Sequence, residues 1–177
     1  MYPISNYLQV LANRKYLLIF LLVFLSFPLY FFKNVQSRID ELNGGATTAI
    51  DITFGFNPQR TLNAVAGYTD AARAFYARTE MTTDLVYPMV YAFLFGIILT
   101  MLFNGQSMVR AQLLPFLSML FDYAENICIV SLLYSYPQQS LYLATFCEIF
   151  KMLKWISLAS VFVFFLYGLF MKLILRR

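Results

Sequence analysis

The stretch FDYAEN, residues 121–126, places Asp122, Glu125 and Asn126 inside LLPFLSMLFDYAENICIVSLLY, an apolar run long enough to cross a bilayer. A charged side chain at the centre of a membrane helix costs about 2.5–3.5 kcal/mol on insertion scales, so carboxylates there must face protein or water and have partners. A later run, YLATFCEIFKMLKW, supplies Glu148, Lys151 and Lys154 at three-residue intervals along one side of a helix. Acids and amines held together in this way can fix helix register, bind an ion, exchange a proton or hold a polar headgroup. Asp84 and Tyr91 join the candidate cluster from a third apolar stretch, DLVYPMVY. Their plainer reading is a helix end and a membrane-interface aromatic.

The elements that must position these groups follow from composition. Of 177 residues, 60% are hydrophobic and only 12% charged, which is the composition of a polytopic membrane protein. There is no histidine, and the two cysteines, Cys128 and Cys147, have no metal-ligand spacing. Zinc, haem and triad chemistry lose their usual ligand and base, and no cofactor or metal is expected. No glycine-rich phosphate loop or nucleophile elbow is present. The net charge of +4 sits mostly beside the apolar runs, where it reports membrane orientation and not a nucleic-acid partner.

Four spans are expected, at about residues 16–32, 85–103, 113–134 and 144–171, in a single all-α membrane domain covering residues 1–177. Lys33, Asn34, Val35 and Gln36 after the first span do not resemble a small-residue cleavage site, so that run reads as a helix and not as a signal peptide. Residues 33–84 read as one external loop holding a small helical cap. Asn57 with Pro58 opens one short helix that Gly67 ends, and Thr69 caps a second. Leu62, Val65, Phe75 and Tyr76 give these helices an apolar side, and Pro88 is the expected kink where the second runs into the next span. Ala92, Gly96 and Thr100 form a small-residue strip for a neighbouring helix, in this chain or a partner.

Arg14, Lys15, Arg110, Lys172, Arg176 and Arg177 fall on one side of the spans, which predicts cytoplasmic termini. The short SYPQQS loop makes the third and fourth spans antiparallel neighbours. Counting equally back from Tyr134 and forward from Leu141 sets Asp122 opposite Lys154, Glu125 opposite Lys151 and Cys128 opposite Cys147. In this register FDYAEN is acidic because its neighbour is basic.

The order FGFNP, GYTDAARAFYAR, DLVYPMVY, FDYAEN resembles a group of small, uncharacterised bacterial four-helix membrane proteins, over residues 50–134. The resemblance implies a fold and a repeated polar signature, and no established activity; the expected location is a bacterial inner membrane. The functional expectation is a non-catalytic accessory subunit or small binding module, set in lipid and touching partner membrane subunits or a second copy. The alternatives are a proton- or ion-coupled transporter, which four helices would require to be oligomeric, and a membrane-embedded enzyme acting on a lipid-borne substrate with Asp122 or Glu125 as base.

Overall fold

A computed structural model describes residues 3–103 and 109–174. Its elements are α1 (Pro3–Leu11), α2 (Arg14–Ser26), a π-helical turn (Phe27–Phe31), α3 (Phe32–Asn43), α4 (Pro58–Gly67), α5 (Asp70–Glu80), α6 (Thr83–Phe103), a 3-10 turn (Val109–Leu113), α7 (Leu114–Ser135) and α8 (Leu141–Leu173). Among the described residues there is no strand. Four helical stretches are long and apolar enough to cross a membrane: Arg14–Asn43, Asp70–Phe103, Ala111–Ser135 and Leu141–Leu173.

The first of these runs past the expected end of its apolar stretch. Proline lacks an N–H, and at Pro28 the ladder widens into the π-helical turn without stopping. Beyond it α3 is amphipathic: Ile39 is buried, Val35 and Leu42 pack on the core, and Lys33, Arg38 and Glu41 face outward. Hydropathy ends the apolar run at Phe32, whereas hydrogen bonding carries the helix to Asn43. Gly44, at φ 72°, then closes it in a left-handed conformation that costs glycine nothing.

The two cap helices start and stop on the expected signals. The Asn57 side chain accepts from the Arg60 N–H at 3.0 Å with Pro58 in the first turn, and Thr69 Oγ1 accepts from the Ala72 N–H at 3.2 Å. Leu62, Val65 and Tyr76 enter a core completed by Ile129 and Leu132 of α7 and Ala144 and Cys147 of α8. The cap therefore shares its core with the ends of two spans. Arg73 ties it further, donating to the Val65 and Tyr68 carbonyls and lying 3.9 Å over the Tyr136 ring. The break before α6 falls at Met81–Thr82, so Pro88 lies inside α6 and does not mark its junction with α5.

α2 runs antiparallel to α6 on an aromatic seam. Phe20 stacks on Phe93 with ring centroids 5.7 Å apart, Phe24 on Tyr87 at 5.5 Å, and Phe32 meets Tyr87 edge-on at 4.9 Å. The small-residue strip of α6 is taken by this chain's own helices. A Cβ on Gly96 would lie 3.0 Å from Leu8 of α1 and 3.2 Å from Phe116 of α7, and the Thr100 hydroxyl bonds the Gly96 carbonyl and Gln112 at 2.7 Å each. The surface offered by the sequence to a partner helix is thus internal. At the same end Lys172 reaches the Met101 carbonyl at 3.5 Å. Of the basic residues that set the expected orientation, Arg176 and Arg177, like the side chain of Arg110, lie outside the described residues.

Candidate functional site

Pro88 cannot donate to the carbonyl four residues before it, which leaves the Asp84 C=O without its helical partner. Asn126 of α7 supplies the replacement: its Nδ2 donates to that carbonyl and to the Asp84 carboxylate, both at 3.2 Å. One residue on, the Leu85 carbonyl accepts from the Tyr123 hydroxyl at 2.9 Å. The Asp122 carboxylate accepts from Tyr91 at 2.9 Å. DLVYPMVY and FDYAEN therefore dock on each other, polar group to polar group, across the α6–α7 interface. Asn126→Ala is expected to cost about 1–3 kcal/mol, the penalty for leaving a buried acceptor unpaired. The cost should shrink when Pro88→Ala restores the helical donor, a coupling readable in thermal unfolding of the two singles and the double variant.

α8 brings the bases. Lys154 Nζ lies 2.6 Å from Glu125 Oε2 and 3.5 Å from Asp122 Oδ1, with all three side chains buried. Asp122 therefore meets Lys154 as the antiparallel register expects, and Cys128 and Cys147 are free thiols in one core cluster. Glu125 does not meet Lys151. That ammonium is fully buried and taken by Glu148, 2.5 Å away on its own helix, by Thr53 Oγ1 at 2.7 Å and by the Ile50 carbonyl at 3.4 Å. Two-helix counting leaves out the loop before α4, which reaches over α8 and claims Lys151 first.

The eight residues singled out from the sequence thus divide. Tyr91, Asp122, Glu125 and Lys154 are joined by direct contacts, and Asp84 and Asn126 pair beside them on the same α6–α7 interface. Glu148 and Lys151 form a second cluster that holds the cap: Glu148 accepts from the Asn57 N–H at 2.9 Å and the Thr61 hydroxyl at 2.6 Å.

Asp84, Tyr91, Asp122 and Lys154 of the first group border a cavity of about 730 Å³ between α2, α3, α5, α6, α7 and α8. Asp51, Glu80, Asp84, Asp122 and Lys154 line it, and so do Phe24, Phe95, Ile98, Leu158, Val161, Phe162 and Phe165. α6 and α8 both pass from polar to apolar lining as they run. Asp84 precedes Tyr91, Phe95 and Ile98 on one, and Lys154 precedes Leu158, Val161 and Phe165 on the other. The cavity accordingly has a polar end under the cap and an apolar end deep among the spans. At 1.5 Å per residue, Lys154 to Phe165 covers about 16 Å, close to half of a hydrocarbon core about 30 Å thick.

Two acids at the polar end were not singled out by sequence reasoning. Glu80 is 3% exposed and its Oε2 has no hydrogen-bond partner. Asp51 accepts from the Tyr76 hydroxyl at 2.8 Å. A signal for Glu80 exists: Tyr76, Glu80, Asp84, Tyr87, Tyr91, Phe95 and Ile98 recur every three or four residues and all line the cavity. Treating Asp84 as the membrane boundary cuts that stripe in two. Asp51 sits in a loop and has no comparable periodicity. Among the described residues, no group of three or more acidic or cysteine side chains is gathered to hold a metal ion. No protein-family model, curated protein or solved structure matches the chain, so the chemistry of this cavity is read from its own atoms.

Proposed function

We infer that this chain, with its four membrane-length apolar helices, is a non-catalytic binding module that takes an amphipathic molecule from the bilayer into the cavity between α2, α6, α7 and α8. One observation carries the reading: a 730 Å³ cavity whose lining passes from carboxylates, a lysine and tyrosines to phenylalanine and aliphatic side chains. Apolar pockets with a few convergent polar groups suit ligands with a chain and a head. The polar groups of the cluster are largely spent on one another, as Asp122 is on Tyr91 and Lys154 and Asp84 is on Asn126. That favours holding a ligand over performing acid–base chemistry on it.

The test is native mass spectrometry of the chain extracted in mild detergent. One amphiphile should remain bound after delipidation, and Ile98→Trp, which fills the apolar end, should abolish the adduct while leaving thermal unfolding near that of the parent. An adduct that survives Ile98→Trp places the ligand elsewhere and sinks the reading. An ion-coupled transporter is the second reading, favoured by Lys154 standing between two acids; it would lose flux but not folding on Asp122→Asn.

A further inference from the structure

We propose that the molecule held in this cavity carries an ammonium head, seated between Glu80 and Asp84, with its apolar chain lying along α6 and α8. The proposal rests on the amphiphile reading above and assigns the chemical class of the head.

Charge is the first argument. Asp51, Glu80, Asp84 and Asp122 line the polar end, and among the described residues Lys154 is the only basic side chain that does. Lys154 is already committed to Glu125 and Asp122. Arg73, a buried cation of the cap, is turned to Asp70 and to backbone carbonyls. An anionic head would therefore enter against an excess of carboxylates and find no free donor of positive charge. A cationic head is drawn by the same field.

The unpartnered atom is the second argument. Each acid at this end except Glu80 accepts from a side chain of the protein: Asp51 from Tyr76, Asp84 from Asn126, Asp122 from Tyr91. Glu80 lines the cavity and its carboxylate accepts nothing, with Oε2 buried and unpartnered. Buried carboxylates without donors are costly and uncommon, and an ammonium N–H supplies this one with the donor and the positive charge it lacks.

The aromatic lining is the third. Tyr76, Tyr87, Tyr91 and Trp155 border the same end, and π faces beside carboxylates are the surroundings in which ammonium groups are held. None of this recognition requires a phosphate or a carboxylate on the ligand.

Trp155 is the only tryptophan in the chain and lines the cavity, so its fluorescence reports occupancy. The full chain in an uncharged detergent is titrated with dodecylammonium, dodecanoate and dodecanol, three probes with one chain and different heads. Dodecylammonium should give a saturable change, with dodecanoate weaker by roughly tenfold or more, and Glu80→Gln should weaken dodecylammonium by a similar factor while leaving dodecanol unaffected. Equal binding of dodecanoate or dodecanol overturns the ammonium head and leaves the amphiphile cavity standing. Binding of none of the three removes both. If Glu80→Gln fails to fold, the head selectivity of the parent protein decides alone. Adding phosphatidylethanolamine as a competitor distinguishes the source: displacement of dodecylammonium identifies a bilayer aminolipid, and no displacement a free alkylamine, each carrying the same head.

Discussion

Lys154→Met is expected to cost about 3–5 kcal/mol of stability, the usual penalty for breaking a buried ion pair by removing one partner. The magnitude follows from what the substitution leaves behind. Glu125 is fully buried and its Oε1 already has no hydrogen-bond partner, so its charge is compensated by the ammonium 2.6 Å from Oε2. Asp122 would keep the Tyr91 hydroxyl but lose its cation. A drop in folded yield and in the unfolding midpoint in detergent should be clear. The triple variant Lys154→Met, Glu125→Gln, Asp122→Asn should recover most of the loss, since neutralising a whole buried cluster is often tolerated where halving it is not. Charge exchange sharpens the test. Glu125→Lys should be rescued by Lys154→Glu and not by Lys151→Glu. Rescue by Lys151→Glu instead would mean that Lys151 turns to Glu125, as counting along the two helices expects, and not to Glu148.

The second large effect belongs to Glu148→Gln. Lys151 is fully buried, and Glu148 is its acid; Thr53 and the Ile50 carbonyl offer it only neutral oxygens. The same carboxylate accepts from Asn57 and Thr61, so one substitution both strands a buried ammonium and loosens the start of α4. A loss of about 3–5 kcal/mol is expected, and its location distinguishes it from the Lys154 case. Hydrogen exchange should rise across residues 45–67, which Glu148 and Lys151 hold down, and much less in α6 and α7. Adding Lys151→Met should return part of the stability without restoring protection at Asn57. If exchange in residues 45–67 stays at the parent level, the cap is held by its apolar core alone, through Leu62, Val65 and Ile50.

The two clusters also divide the work of the molecule. Glu148 and Lys151 face the cap and border no part of the cavity, whereas Asp84, Asp122 and Lys154 do. Variants of the first pair should disturb the lid of the polar end without changing its charge. Variants at Glu80 or Asp84 should change which head the cavity accepts, and this separation makes the ligand experiments interpretable beside the stability ones.

What the sequence by itself determined is local or nearly so. Apolar length sets the four membrane-length helices because backbone groups in lipid must bond within their own segment. Asn57, Pro58 and Thr69 set the cap helices because capping is decided within four residues. The short SYPQQS connection sets α7 against α8, and hence Asp122 against Lys154 and Cys128 beside Cys147. Tertiary structure decided the rest, wherever more than two segments compete for one group. Lys151 goes to Glu148 and a loop over ninety residues away in the chain, a contact that helix counting does not contain. Asn126 is a polar residue in an apolar run until α6 packs against it and shows the carbonyl that Pro88 has freed. Glu80 belongs to the cavity because the turn at Met81–Thr82 lets α5 continue the stripe of α6. The strip of Ala92, Gly96 and Thr100 records that something packs closely, and only the folded chain shows that Leu8 and Phe116 do so. Spacing along one helix fixes which side chains share a face; what that face meets depends on packing among segments distant in the chain.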